Sequence, residues 1–117
     1  MISVAMAVYN GEKYIKEQLE SIRLQTRVPD EVIIMDDCST DNTATLINEY
    51  LKKYSLNWIF EVSSQNRGYI DNFTELLHRV KGDIIFLADQ DDIWELDKIA
   101  LLVDKMSQDQ NILALNT

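Results

Sequence analysis

Apolar runs alternate along the chain with stretches of helical periodicity. ISVAMAV (2 to 8) is almost continuously apolar, the pattern of a strand covered on both faces. From about 12 to 26, Ile15, Leu19 and Ile22 recur at i, i+4 and i+7, which puts them on one helix face. EVIIMD (31 to 36) predicts a second buried strand, introduced by the turn-prone Pro29-Asp30. Ser39, Thr40 and Asp41 offer N-cap oxygens for a helix whose stripe is Ala44, Ile47, Leu51 and Tyr54. A third strand is expected near 57 to 62, and Asn66-Arg67-Gly68 reads as a loop. Ile70, Phe73, Leu77 and Val80 mark a third helix, which Gly82 can end as its C′ residue. DIIFLAD (83 to 89) is the fourth strand. A helix from about 95 to 107 turns Leu96, Ile99, Val103 and Met106 inward, and ILAL (112 to 115) begins a fifth strand.

Strands and helices that alternate at this spacing imply right-handed βαβ crossovers. The expected fold is therefore α/β, a three-layer α/β/α sandwich around a mostly parallel, Rossmann-like sheet. Such sheets bind ligands outside the carboxyl ends of their strands. Polar, chemically capable residues gather at those positions: Val8-Tyr9-Asn10-Gly11, Asp36-Asp37-Cys38-Ser39, Gln65-Asn66-Arg67-Gly68 and Asp89-Gln90-Asp91-Asp92. Four loops are expected to converge on one crevice.

Composition narrows the choice of ligand. The 117 residues are 46% hydrophobic and 26% charged, ordinary for one soluble globular domain spanning 1–117. A net charge of -9 with no basic stripe argues against a nucleic-acid partner. The same acidity suits divalent-metal binding, although solvated surface accounts for most of it. Cys38 is the single cysteine, which excludes an internal disulfide and agrees with a reducing cytoplasm. Neither a charged leader with an apolar core nor an apolar run of ~20 residues is visible, so neither a signal peptide nor a membrane span is expected.

IIFLADQDDIW (84 to 94) raises the sharpest chemical question, because its apolar run ends in three carboxylates. Residues two apart on an extended segment point to the same side, so Asp89 and Asp91 can present their carboxylates together. Such a pair suits Mg²⁺ or Mn²⁺ completed by phosphate oxygens and water. A bare D-x-D is more often a helix cap with solvated neighbours. Placement directly after an apolar strand, in the fourth βα loop, reverses that balance. At Asp36-Asp37, the nearby Ser39 and Thr40 can serve as caps, which leaves Asp37 free to accept a hydrogen bond from a ligand N–H. The Tyr9 ring could stack on a planar base or simply sit half-buried at a strand end. Arg67 has the fork for a phosphate, or is an exposed loop cation. His78 lies within the third helix, away from every strand end, and Cys38 lacks a neighbouring base, so neither is a catalytic candidate.

Four stretches, VAMAVYNGEKYIKEQLESIRLQT, PDEVIIMDDCSTDNT, NRGYIDNF and GDIIFLADQDDIW, resemble in order and spacing the amino-terminal, donor-binding half of a family 2 glycosyltransferase with the GT-A fold. The resemblance covers essentially the whole chain. It implies that Ala7, Val8 and Tyr9 line a base pocket and that Asp37 accepts the N3–H of uracil or thymine. Asp89-Gln90-Asp91 would be the D-x-D motif, with Asp91 the direct metal ligand and Asp89 contacting ribose or the metal shell. Gly68 lies in the loop that approaches the nucleotide sugar, Asp92 orients the sugar or the loop, and Trp94 packs. In two places the chain departs from the family pattern. Cys38 stands where many members have glycine after the two acids, and Met6-Ala7-Val8 replaces a Pro-Thr type of sequence before Tyr-Asn.

The resemblance further implies sugar transfer from a UDP- or dTDP-linked donor to an acceptor hydroxyl, with inversion, in cell-surface polysaccharide or glycan synthesis. The cofactor would be Mn²⁺ or Mg²⁺, the acceptor a carbohydrate or lipid-linked molecule, and the location cytoplasmic or at the cytoplasmic face of the membrane. The general base, the acceptor site and any peripheral membrane contact are expected beyond this chain, which would have little or no activity alone. Three other classes fit parts of the pattern. A haloacid-dehalogenase-like phosphatase also places Asp-x-Asp after a strand, but would want Thr or Val two residues past the second Asp and a downstream Lys. A receiver domain would want its acidic pair on the first strand, where this chain has Tyr9-Asn10. A noncatalytic nucleotide-binding domain shares the fold and the base pocket.

Overall fold

The computed structural model describes residues 1–88 and 93–108. In chain order its elements are β1 (Ile2–Val8), α1 (Ile15–Arg23), β2 (Glu31–Asp36), α2 (Thr43–Lys53), β3 (Ile59–Val62), α3 (Tyr69–Arg79), β4 (Ile84–Ala88) and α4 (Lys98–Gln108). The strands form one parallel sheet in the order β3-β2-β1-β4. β1 is an inner strand and wholly buried, which explains its almost continuously apolar composition. β3 is an edge of the sheet, and its Ile59 and Val62 are about half exposed. The expected α/β class, parallel sheet and helices on both faces are all observed; the strand anticipated at 112 to 115 lies outside the described residues.

The order of the strands dictates where the helices go. From β1 to β3 the chain winds in one direction, so α1 and α2 lie on one face. To reach β4 it must recross β2 and β1, and a right-handed crossover then puts α3 on the opposite face. Side-chain alternation supplies each face with its own core. Ile2, Val4, Met6 and Val8 of β1 pack with Ile15, Leu19 and Ile22 of α1, Ile47 of α2 and Ile99 of α4. Ala5 and Ala7 pack with Ile33, Met35 and the α3 residues Phe73 and Leu76. Each fully buried Ile or Leu contributes about 1.5–3 kcal/mol relative to exposure. Trp94 is buried as expected, its ring centroid 5.9 Å from that of Phe86.

Three expectations are corrected. Of the expected α3 stripe, Phe73 is buried and Val80 packs half-buried against the same core, but Ile70 is 77% and Leu77 47% exposed, and Asn72 and Leu76 are buried in their place. The i, i+3 spacing allowed either face, and the small Ala5 and Ala7 beneath the helix receive the Phe73 side. Leu96 precedes α4 and is exposed rather than inward. Gly82 is not a left-handed helix stop, because α3 already ends at Val80 with an extended ψ of 145° and Gly82 has no positive φ. What excludes a side chain at Gly82 is close approach. A Cβ there would stand 2.4 Å from Ser3 Oγ and 2.8 Å from Met1 O. The Gly82 amide donates to that same Ser3 hydroxyl at 2.8 Å, and Ser3 Oγ donates to Glu31 Oε1 at 2.7 Å. Gly82→Ala is expected to lower unfolding free energy by about 1–3 kcal/mol through overpacking. Chemical denaturation checks this, and an unchanged midpoint would contradict it.

Candidate functional site at the carboxyl edge of the sheet

β1 and β2 are in register with Val8 opposite Asp36, so Tyr9 and Asp37 are the first residues past two neighbouring strand ends. Alternation sends the two adjacent acids to opposite faces. Asp36, fully buried, accepts from the Ser39 hydroxyl on the α1 and α2 side. Burial raises its carboxyl above the ordinary value, against the lowering effect of the hydrogen bonds from Ser39. Asp37, 5% exposed, accepts from the Arg67 amide at 2.6 Å and the Gly68 amide at 2.9 Å, on the side of α3. Its own amide donates to Val8 O at 2.9 Å, and Ser63 N donates to Asp36 O at 2.8 Å. The Asp37 carboxylate thus ties the end of β2 to the loop after β3, and its backbone amide ties it to the end of β1. Hydrogen bonds to a charged acceptor contribute about 1.5–3 kcal/mol each.

A second set of bonds locks the first loop to the second. Asn10, in the left-handed region at φ 49°, receives its Oδ1 bond from Thr40 N at 2.8 Å and donates its amide to Ser39 Oγ at 2.8 Å. Gly11 N donates to Thr43 Oγ1 at 2.8 Å, and Glu12 N to Asp41 Oδ2 at 3.3 Å. Ser39 and Thr40 therefore do not cap α2, contrary to expectation; they bridge to Asn10, and Asp41 takes the Thr43 amide at 2.9 Å. These cross-loop partners were missed as a group because Ser, Thr and Asp before a helix carry the signature of a cap whichever bond they make. The Tyr9-Asn10-Gly11 turn was the available signal for Asn10.

The anticipated site residues fall into three groups. Val8, Asp37, Arg67 and Gly68 are brought together through the bonds above. Ala7 and Val8 are buried in the two cores, so their backbones are what they offer a ligand, whereas Tyr9 is 40% exposed and the Arg67 side chain is exposed. Gly68 has φ 89°, and a Cβ there would meet nothing within 4 Å, so the loop needs glycine for its backbone and opens onto free space. Asp89, Asp91 and Asp92 lie outside the described residues. The strand that leads to them ends at Ala88, paired with Met6, so β4 emerges beside β1. Asn72, on α3, is 1% exposed; its Oδ1 accepts from Ser63 Oγ at 3.4 Å, and its Nδ2 has no hydrogen-bond partner among the described residues. Among the described residues no group of three His, Cys, Asp or Glu side chains is placed to hold a metal ion. Nor is any described helix long and apolar enough to cross a membrane.

With this edge in view, the chain belongs to glycosyl transferase family 2, whose model matches residues 3–116. It is 42% identical over 103 residues to the dTDP-rhamnosyl transferase RfbG of Shigella flexneri, covering 85% of this chain and 36% of that protein. It is 33% identical over 92 residues to TarS, a poly(ribitol-phosphate) beta-N-acetylglucosaminyltransferase of Staphylococcus aureus, covering 77% of this chain and 16% of that one. The structure of TarS 1-349 in complex with UDP superposes with a TM-score of 0.81 at 28% identity, over 93% of this chain and 32% of that chain. A Pyrobaculum calidifontis mannosyltransferase in complex with GDP-Man and Mn²⁺ superposes at 0.84 with 25% identity, over 91% and 32%. The chain thus spans about a third or less of the length of these relatives. The GT-A fold expected from the resemblance is observed.

Two outcomes follow from the loop geometry. Cys38 has φ 60°, the left-handed conformation that glycine adopts freely, so the chain keeps a glycine-type backbone without the glycine. Cys38→Val is expected to be at least about 1 kcal/mol less stable than Cys38→Gly, because a branched Cβ suffers most there; equal denaturation midpoints would refute this. The second outcome concerns Asp41. Burial pushes its carboxyl up, but hydrogen bonds from Thr43 and Glu12 outweigh that and hold it below the ordinary value. A depressed carboxyl adds stability above its unfolded-chain value, and loses it as pH falls through the folded one. Asp36, raised, has the opposite sign. Asp41→Asn keeps an oxygen for the Thr43 amide and removes the titration. Its stability should therefore fall less than the parent's between about pH 6 and pH 3, as read by denaturant melts at each pH.

Proposed function

We propose that this chain is the donor-binding half of a glycosyltransferase that moves a sugar from a UDP- or dTDP-linked donor to an acceptor hydroxyl, with inversion, in cell-surface polysaccharide or glycan synthesis. The observation that carries the reading is the buried Asp37 carboxylate at the carboxyl edge of the sheet, which holds the Arg67 and Gly68 amides of the loop after β3 while its own backbone amide bonds Val8 O at the end of β1. An ionised carboxylate only accepts hydrogen bonds, and each of its oxygens keeps a lone pair beyond the one used by an amide. It therefore suits the N3–H of uracil or thymine and discriminates against a base that presents an acceptor there. It does not choose between the two pyrimidines. Family membership supports the reading over a phosphatase or receiver domain. The dTDP named for the Shigella relative, the UDP bound by TarS and the poly(ribitol-phosphate) acceptor in its name support the donor and polymer classes.

In this reading Tyr9 stacks on the base, with the Ala7-Val8 backbone forming the floor beside it. Arg67 draws the diphosphate, and Gly68 leaves room for the nucleotide sugar. Asp89 and Asp91 would hold the divalent ion, Mn²⁺ or Mg²⁺, a set of hard oxygen donors that fits either cation; the Mn²⁺ in the Pyrobaculum neighbour supports that assignment. When bound, such an ion offsets the charge that builds on the diphosphate leaving group. Asp92 orients the sugar. The acceptor hydroxyl loses its proton to a general base that we place, with the acceptor site and any peripheral membrane contact, in polypeptide beyond residue 117. We place the reaction in the cytoplasm or at the cytoplasmic face of the membrane.

Calorimetric titration with UDP and dTDP, with and without Mn²⁺, tests the proposal. Binding of at least one nucleotide, strengthened by Mn²⁺, is expected. Asp91→Ala should remove at least about tenfold of the strengthening, since even outer-shell partners of a metal are worth on the order of 10- to 100-fold. Absence of binding would overturn the proposal. Binding indifferent to both Mn²⁺ and Asp91 would leave a noncatalytic nucleotide-binding domain instead.

A further inference from the structure

One buried side chain links the end of α1 to the segment that follows the acidic motif. Gln25, the residue after the α1 C-cap Leu24, is 3% exposed. Its Nε2 donates to Ser21 O at 2.9 Å and to Glu95 O at 2.6 Å, and its Oε1 accepts from Ile99 N at 3.0 Å. The neighbouring Thr26 amide donates to Leu96 O at 2.8 Å. Both donor hydrogens and an acceptor lone pair of the amide are therefore in use. Two of the three side-chain bonds cross 70 or more residues of sequence. The Ile99 amide is in the first turn of α4, where no partner exists within the helix. Gln25 thus caps α4 from another element.

What Gln25 grips follows the candidate metal-binding acids closely in sequence. Asp89, Gln90, Asp91 and Asp92 span the interval between Ala88, paired with Met6, and Ile93, which opens the segment leading to α4. Just inside that segment Trp94 is buried against Phe86. Helix packing alone does not call for a buried amide here, because Ile99 already anchors α4 in the core. A buried polar group that bonds on two elements does something packing does not: it sets their relative position in direction as well as distance.

We propose that Gln25 is a positioning residue for the metal-binding acids. It holds Glu95 and Ile99 so that the carboxyl-terminal root of the acidic stretch is as firmly placed as the root in β4. It acts through the backbone it grips rather than by contact with the donor. The inference rests on the assignment of Asp89 and Asp91 proposed above.

The test measures UDP and dTDP affinity of the 117-residue chain in EDTA and in Mn²⁺, for the parent, Gln25→Leu and Gln25→Asn, each with its melting temperature. Leu keeps the bulk and loses every bond, whereas Asn keeps the amide on a stem too short to reach both elements. If the Leu variant does not fold, the Asn variant is read. The expected result is a Mn²⁺ enhancement reduced on the order of 10- to 100-fold, the range for outer-shell partners of a metal, with affinity in EDTA unchanged. A parallel fall of both affinities with the melting temperature would make Gln25 merely structural and overturn the proposal; so would an enhancement equal to the parent's. A parent chain that binds nucleotide with no Mn²⁺ enhancement would instead defeat the assignment of the acids, and this inference with it.

Discussion

Among the described strands the chain reverses its winding at β1, and the arrangement of the helices follows from that reversal. Strands added on one side place α1 and α2 on one face, and the return to the other side of β1 forces α3 across the opposite face. β1 thus has a strand reached from each direction on either side, and in sheets of this kind ligands bind outside the carboxyl ends of the strands at such a reversal. β1 must accordingly be buried on both faces, next to β2 and β4 alike. That is why its sequence is apolar apart from Ser3, and the small Ala5 and Ala7 face α3.

Such a position alone does not make a site, because loops at a strand end are free to wander unless something holds them. Here polar side chains hold them. The two edges of the sheet are stitched differently. At the amino edge Ser3 and Glu31 bridge to Lys81 and Gly82, which is structural work done far from the ligand side. At the carboxyl edge Asp37 gathers the amides of Arg67 and Gly68, while Asn10 and Asp41 lock the first loop to the second. Placing so many acids at one edge of a chain of net charge -9 is unfavourable in itself. Asp36 shows the cost directly, since burial lifts its carboxyl above the ordinary value. Asp37 shows the remedy, which is to meet negative charge with backbone N–H groups instead of a countercharge. That leaves its remaining lone pairs available.

How much of this was legible in the sequence depended on the kind of signal. β1 and β2 were read to their end residues, because a buried parallel strand is an uninterrupted apolar run and its limits are set by polar neighbours. The position of the carboxyl edge followed from the alternation of elements. The orientation of α3 did not, because Ile70, Phe73, Leu76 and Leu77 give two overlapping stripes and only the face presented by β1 and β2 decides between them. Gly82 misled for a related reason. A glycine after a helix is a stop signal locally, while the constraint that operates comes from Met1 and Ser3, some 80 residues away. Gln25 was invisible because a lone glutamine at a helix end has no pattern to mark it. Its partners, Glu95 and Ile99, are backbone groups with no sequence signature at all.

These failures share a cause that bears on function. Periodicity reports which side chains leave water, and it therefore finds the scaffold. The groups that aim a site act through directed bonds to backbone atoms of other elements, where residue type at the receiving end is irrelevant. Asp37 belongs to both classes. Its type stood out because a carboxylate suits a ligand N–H, the role proposed for it above, and the structure shows it ordering the loop that carries Arg67 and Gly68. A carboxylate already held by two amides would lose little freedom to a third donor, so in the proposed role pre-organisation and recognition reinforce each other in one side chain. In the proposed role, the residue that would read the base is also one that closes the edge of the fold.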